Sequence, residues 1–153
     1  MAASRFIYVT YIRTTPAKLW KALLEPEFTR KYWSDSTQES QCTVGSPWKL
    51  VLSTGEIANS GEVLEIEPER KLVLTWRKEF KPELTAEGHT RLTYDLEQVE
   101  DSVKLTITHE SDLPNSKMID AVAKGWPLVL SSLKSLLETG ESLESTRQWR
   151  PCK

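Results

Sequence analysis

The chain has 153 residues, with 20 basic against 22 acidic side chains and a net charge of -2, so it lacks the basic excess that marks a nucleic-acid surface. That length is enough for one domain with a self-sufficient core, and with 39% apolar residues no run approaches the ~20 that a membrane span needs. Met1 to Arg5 show no basic segment leading into a long apolar stretch, so a water-soluble, cytoplasmic protein is expected.

Arg5 to Arg13 is dense in aromatic and β-branched residues and stops at Thr14-Thr15-Pro16, which reads as a first strand. Apolar residues on both parities predict that both of its faces are at least partly covered. Thr15 fits a helix N-cap with Pro16 at the first helical position, and Leu19, Trp20, Leu23 and Leu24 then share one face. Pro26 ends that helix, and Glu27 to Trp33 forms a second helical turn carrying Phe28, Tyr32 and Trp33.

Beyond this point the period changes to two. Pro47 to Leu52 and Ile57 to Ile66 read as strands around the turn Ser53 to Glu56, with Gly61 marking a bulge or a close backbone approach. Lys71 to Arg77 is the next strand, and Lys78 to Gly88 is a long hairpin loop. Leu92, Tyr94 and Leu96 alternate with polar residues, as do Val103, Leu105, Ile107 and His109, so each strand has one buried and one wet face. After Asn115 the period returns to 3.6 through Met118, Val122, Trp126, Val129, Leu133 and Leu136, up to Gly140. Pro127 inside this stripe predicts a kink or a break at Gly125-Trp126. Residues 141–153 have no apolar period and read as a flexible tail beyond a single domain at 1–140.

These elements predict an α+β fold in which a curved antiparallel six-stranded sheet wraps a long C-terminal helix, with two short helices after the first strand. Cys42 and Cys152 lie far apart and form no CxxC pair, and the chain has only His89 and His109, so no disulfide, zinc set or other cofactor is expected.

Several segments in joint order carry a family resemblance: Tyr11 to Pro16 with Leu19-Trp20, Phe28 to Trp33, Gly45-Ser46-Pro47-Trp48, Gly61 to Pro68, and Gly125-Trp126-Pro127 leading into Leu133 to Glu138. Over about residues 6–140 the chain resembles the START and birch-pollen-allergen-like helix-grip (SRPBCC) superfamily, within it the group homologous to the activator of heat-shock protein 90 ATPase. The resemblance implies a helix-grip fold with a hydrophobic-ligand pocket. It does not imply one activity, because members range from ligand carriers to polyketide cyclases and co-chaperones. The eukaryotic co-chaperones pair a similar domain with a larger N-terminal one that this sequence does not contain, which ranks chaperone activation lower.

The leading expectation is a binding module for a small, largely apolar molecule, whether aromatic, lipid-like or polyketide-like. Its pocket is expected to be formed by Trp33, Trp48, Trp76, Tyr94, Ile107, His109 and Trp126. Tryptophan supplies a large apolar face and one N–H that needs a partner, which suits a pocket wall and a plain core alike. His109 at the end of an inward series is read first as a satisfied core histidine and second as a polar contact or proton-transfer group. Two alternatives remain open. One is a cyclase or hydrolase using His109 with Tyr94, and the other is a stress-response or regulatory partner acting through a protein interface or a second copy of the chain.

Overall fold

The computed structural model describes residues 3–79 and 81–146. The chain runs β1 (Ser4–Ile12), α1 (Pro16–Leu24), α2 (Pro26–Tyr32), β2 (Thr37–Ser40), β3 (Pro47–Val51), β4 (Ile57–Glu67), β5 (Lys71–Lys78), α3 (Pro82–Thr85), β6 (Thr90–Val99), β7 (Ser102–Ser111), α4 (Lys117–Thr139) and a short 3-10 turn at Glu144–Thr146. One seven-stranded sheet has the order β1-β7-β6-β5-β4-β3-β2, and every neighbouring pair is antiparallel.

The helix ends follow from their side chains. Thr15 accepts from the Lys18 amide at 3.2 Å with Pro16 at the first helical position. At α4, Ser116 accepts from the Ile119 amide, and Gly140 closes the helix in the left-handed conformation at φ 89°. Glu87, from the loop before β6, adds a carboxylate to the same N-terminus: its oxygens accept from the Ser116 hydroxyl at 2.6 Å and the Lys117 amide at 2.9 Å. That contact ties the start of α4 to the sheet it covers.

The helix packs on β1, β7 and α2, and its buried stripe of Met118, Ile119, Val122, Trp126, Leu130, Leu133 and Leu136 joins Leu72, Leu74, Leu92, Tyr94, Leu105 and Ile107 in one core. Alternation along β6 and β7 puts these strand residues on the helix side, as the two-residue period predicts. Gly61 is a close-approach glycine, since a Cβ there would sit 1.8 Å from the Thr75 carbonyl oxygen.

Three expectations change and a fourth is narrowed. The sheet has seven strands, not six: β2 is Thr-Gln-Glu-Ser, which has no apolar alternation to reveal it. It is held by pairing with β3 and by Gln38, whose amide donates to the Leu23 carbonyl and accepts from Trp48 Nε1 at 2.8 Å. The outer face of β1 is uncovered, with Ile7, Val9 and Tyr11 all exposed. The long hairpin loop contains α3, with Leu84 buried. Of the two outcomes expected at Pro127 the break is absent: α4 runs unbroken from Lys117 to Thr139, with the packed stripe continuing on either side of the lost hydrogen bond to the Ala123 carbonyl.

Residues 141–146, placed in the loose tail by their composition, return onto α4. The Thr146 and Ser132 hydroxyls lie 2.6 Å apart, the Leu143 amide donates to Ser132 Oγ at 2.9 Å, and the Ser34 amide donates to the Thr146 carbonyl at 2.6 Å. This docking uses hydroxyls and backbone, which leave no apolar signature in the sequence. Trp149 and Cys152 lie outside the described residues.

Candidate functional site

Strands β4 and β5 deliver the polar part of the site. Asn59 is in register with Lys78, and Trp76 lies two residues before Lys78 on the same face of β5, so Asn59 and Trp76 are diagonal neighbours beneath α4. Trp33, the C-cap of α2, stacks on Trp76 with ring centroids 5.9 Å apart and planes 10° apart. Trp126 of α4 closes the group at 5.3 Å from Trp33 and 5.7 Å from Trp76. Between them is a cavity of about 100 Å³ lined by Trp33, Asn59, Trp76, Lys78, Ala121, Val122, Gly125, Trp126 and Val129. Gly125 is exposed, with open space where a Cβ would be, and it marks the mouth.

Two polar atoms on side chains that line this cavity have no hydrogen-bond partner and no accessible surface. They are Asn59 Oδ1 and Trp76 Nε1, on side chains only 6% and 4% exposed. Polar groups cut off from both water and a partner are uncommon in folded proteins and costly, so this pair stands out.

Of the seven residues expected at the pocket, Trp33, Trp76 and Trp126 line it. The other four form the layer behind. Trp48 stacks on Trp76 at 4.8 Å and gives its N–H to Gln38. Tyr94 meets Trp126 edge-on at 6.1 Å, and Ile107 pairs with Tyr94 across β6 and β7. The Tyr94 hydroxyl is buried without a partner, and burial raises its pKa above the usual phenol range.

His109 is fully buried, and both of its ring nitrogens are engaged. Trp126 Nε1, which can only donate, lies 3.1 Å from Nδ1, so Nδ1 is unprotonated and Nε2 carries the hydrogen. Nε2 therefore donates to Thr90 Oγ1 at 2.7 Å, and that hydroxyl in turn donates to the Trp76 carbonyl at 2.9 Å. Burial, with Lys78 nearby, pulls the pKa of His109 down to about 3. The imidazole is a neutral strut beneath the tryptophans.

Sequence reading missed Asn59, Lys78, Ala121, Val122, Gly125 and Val129 as cavity residues. Ala58 and Asn59 are consecutive and both buried beside a register shift between β3 and β4, so parity could not assign Asn59 to a face. Gly125 carried the one usable signal, a helix-weakening residue in the middle of a long helical stripe. The wider clefts are different in kind, such as one of about 900 Å³ between Glu67 to Lys71 and Asp95 to Gln98, which is lined mainly by charged and polar residues.

A seven-stranded antiparallel sheet closed over one long helix, with two short helices after the first strand and a side cavity beneath the helix, defines a helix-grip domain. Within that class the chain belongs to the Activator of Hsp90 ATPase homolog 1-like protein family, whose profile matches residues 13–138. No curated protein sequence matches it.

Solved structures share the fold at low identity. A protein from Mesorhizobium loti is 22% identical with a TM-score of 0.74, over 88% of this chain and 97% of its own. The Aha1 dimer from Colwellia psychrerythraea is 21% identical with a TM-score of 0.73, over 91% and 99%. An HSP90 activator from Plasmodium falciparum is 21% identical with a TM-score of 0.70, over 87% and 95%. No helix among the described residues is long and apolar enough to cross a membrane.

Proposed function

We propose that this protein is a binding module for a small, largely apolar molecule held in the cavity between the sheet and α4. The observation that carries this reading is the cavity itself, about 100 Å³ walled by Trp33, Trp76 and Trp126 with a glycine at its mouth. Three tryptophans from a helix end, a strand and the closing helix stand around this space without filling it, whereas protein cores are ordinarily packed to crystal-like density. Proton-transfer chemistry has less support, since both His109 nitrogens are committed to structural hydrogen bonds.

The test is a thermal-shift screen of single-ring and larger aromatics. Binding to the folded state alone raises stability by RT ln(1 + [L]/Kd), about 2.7 kcal/mol at a hundredfold excess over Kd. Hits should vanish in Gly125→Leu, which fills the mouth without touching the core. A screen without hits, or hits unaffected by Gly125→Leu, would remove the cavity from the function.

An interaction role is the second reading, favoured by the exposed row Ile7, Val9 and Tyr11 on β1. The row is bounded by the ion pairs Arg5–Glu110 and Arg13–Asp101, so a twofold axis near Val9 would set each pair against the other one of a second copy. The relatives add two precedents, one described as a dimer and one as an HSP90 activator. Sedimentation of the wild type against Val9→Lys tests this: a dimer lost in the variant supports it, and a wild-type monomer removes it.

A further inference from the structure

We infer that the indole of Trp149, three residues beyond the last described one, seats in the mouth of the tryptophan cavity as the chain's own occupant, so that a small apolar ligand has to displace it. This inference rests on the proposed binding role and adds a built-in competitor to it.

The path of the chain gives the first half of the argument. Beyond Gly140 the backbone turns back along α4. The Glu141 carbonyl accepts from Ser135 Oγ at 2.7 Å, and about one helical turn nearer the cavity the Leu143 amide donates to Ser132 Oγ at 2.9 Å, with the Thr146 hydroxyl 2.6 Å from the same oxygen. Ser132 shares a helix face with Val129 and Gly125, both of which line the cavity. The Thr146 carbonyl accepts from the amide of Ser34, the residue next to the cavity wall Trp33. Thr146 is thus pinned between the two elements that wall the cavity, the α2 end and α4, on a course that leads toward its mouth. Gly125 lies about 10 Å from Ser132 along the helix axis, and the three residues from Thr146 to Trp149 reach about 10 Å when extended.

Size and polarity give the second half. The cavity is about 100 Å³. A dry cavity of about 150 Å³ accepts benzene, so this one takes the six-membered ring of an indole and leaves the pyrrole edge at the mouth, where water meets the need of its N–H. Gly125 carries no side chain into that space. From Arg147 to Lys153 the sequence is Arg-Gln-Trp-Arg-Pro-Cys-Lys, in which Trp149 is the single large apolar side chain and the one that gains by leaving water. Tethering favours this indole over that of a second copy, because a short linker holds it at about millimolar effective concentration. A free ring with a Kd of about 0.1 mM is then weakened roughly tenfold.

The test titrates indole against the full-length wild type and Trp149→Ala, read from the tryptophan N–H resonances of the isotope-labelled protein. Indole should bind Trp149→Ala about tenfold more tightly than the wild type. The substitution alone should also shift the Trp33 and Trp126 resonances and leave that of Trp20 in place. If indole binds both proteins equally and the Trp33 and Trp126 resonances do not move, the inference is overturned while the cavity reading stands. If indole binds neither protein, the small-molecule reading fails, and the resonance shifts alone uphold the seat of Trp149 when present and overturn it when absent. If dilution moves the wild-type resonances toward their Trp149→Ala positions, the indole comes from a second copy and the inference is overturned. Should Trp149→Ala not fold, nuclear Overhauser contacts between the Trp149 ring and the Gly125 α-protons in the wild type decide, and their absence overturns the inference.

Discussion

Trp126 on α4 donates its indole N–H to Nδ1 of His109 on β7 across 3.1 Å, and this bond fixes the tautomer of the histidine while seating the helix on the sheet. The relationship has a pH signature. In the unfolded chain the imidazole takes up a proton below about pH 6.5, whereas in the folded protein its pKa is about 3. The unfolded state therefore binds the extra proton across that window. Stability is complete above about pH 6.5 and falls by about 1.4 kcal/mol per pH unit as the pH drops toward 3. Urea unfolding of the wild type and His109→Gln at about pH 7 and pH 5 should show an extra loss of about 2 kcal/mol in the wild type alone. Equal losses in the two proteins would mean that His109 is protonated in the fold.

Gly125 weakens the middle of α4 and leaves the cavity mouth open, with nothing within 4 Å of a Cβ. Gly125→Ala is therefore expected to stabilise the protein by about 0.5–1 kcal/mol, since no contact opposes the helix propensity of alanine. Thermal melts read the gain directly. A loss of stability would place a neighbour against the mouth that the geometry does not show.

Gly61 behaves oppositely. An added methyl would lie 1.8 Å from the Thr75 carbonyl oxygen and 2.6 Å from its carbon, and both belong to backbone that pairs within the sheet. Gly61→Ala should cost on the order of 3 kcal/mol, the upper end for overpacking, because no flexible side chain is available to move aside. Denaturant titration checks it, and a cost below about 1 kcal/mol would show that β4 and β5 can separate locally at little expense.

Where burial follows a period, most of it was foretold, although in α4 the buried position is Leu130 and Val129 is half-buried. Leu92, Tyr94 and Leu96 face Leu105, Ile107 and His109 as alternation requires, and Thr15, Pro16 and Gly140 bound their helices through local chemistry. Strand β2 escaped because its register is set by partners remote in sequence, chiefly Gln38 with Trp48 and Leu23. The site was half visible. Its tryptophans stand out by residue type, but whether such a ring faces a cavity or a neighbour depends on the register of β4 and β5 and on the rotation of α4. His109 shows the same limit: its inward parity was legible, and its pairing with Trp126 and Thr90 was not.

The return of residues 141–146 onto α4 makes a truncation informative. Ending the chain at Gly140 removes the Thr146 and Leu143 partners of the Ser132 hydroxyl, and it also removes the Thr146 carbonyl that accepts from the Ser34 amide beside the α2 end that carries Trp33. Hydrogen bonds exchanged for water in this way cost about 0.5–1.5 kcal/mol each. Calorimetry of the truncated chain should show a melting temperature lower by several degrees. An unchanged melting temperature would mean that water replaces these bonds at no cost.

Tyr32 and Tyr94 are both fully buried, and they differ in one bond. The Tyr32 hydroxyl donates to the Ala22 carbonyl at 2.8 Å, tying α2 to α1, while the Tyr94 hydroxyl has no partner. Burial raises both phenols well above their usual pKa, so each holds its proton beyond the ordinary phenol range. Replacement by phenylalanine removes the same oxygen in each case, but the consequences have opposite sign. At Tyr32 it abandons a satisfied hydrogen bond and leaves the Ala22 carbonyl short of a donor, a loss of about 1 kcal/mol. At Tyr94 it deletes an atom that had given up hydration without compensation, so Tyr94→Phe should be neutral or more stable by about 1 kcal/mol. Equilibrium unfolding of the two variants side by side measures the contrast, with packing nearly unchanged in both. If Tyr94→Phe instead loses as much as Tyr32→Phe, the Tyr94 hydroxyl has a partner in solution, an ordered water within the core being the simplest.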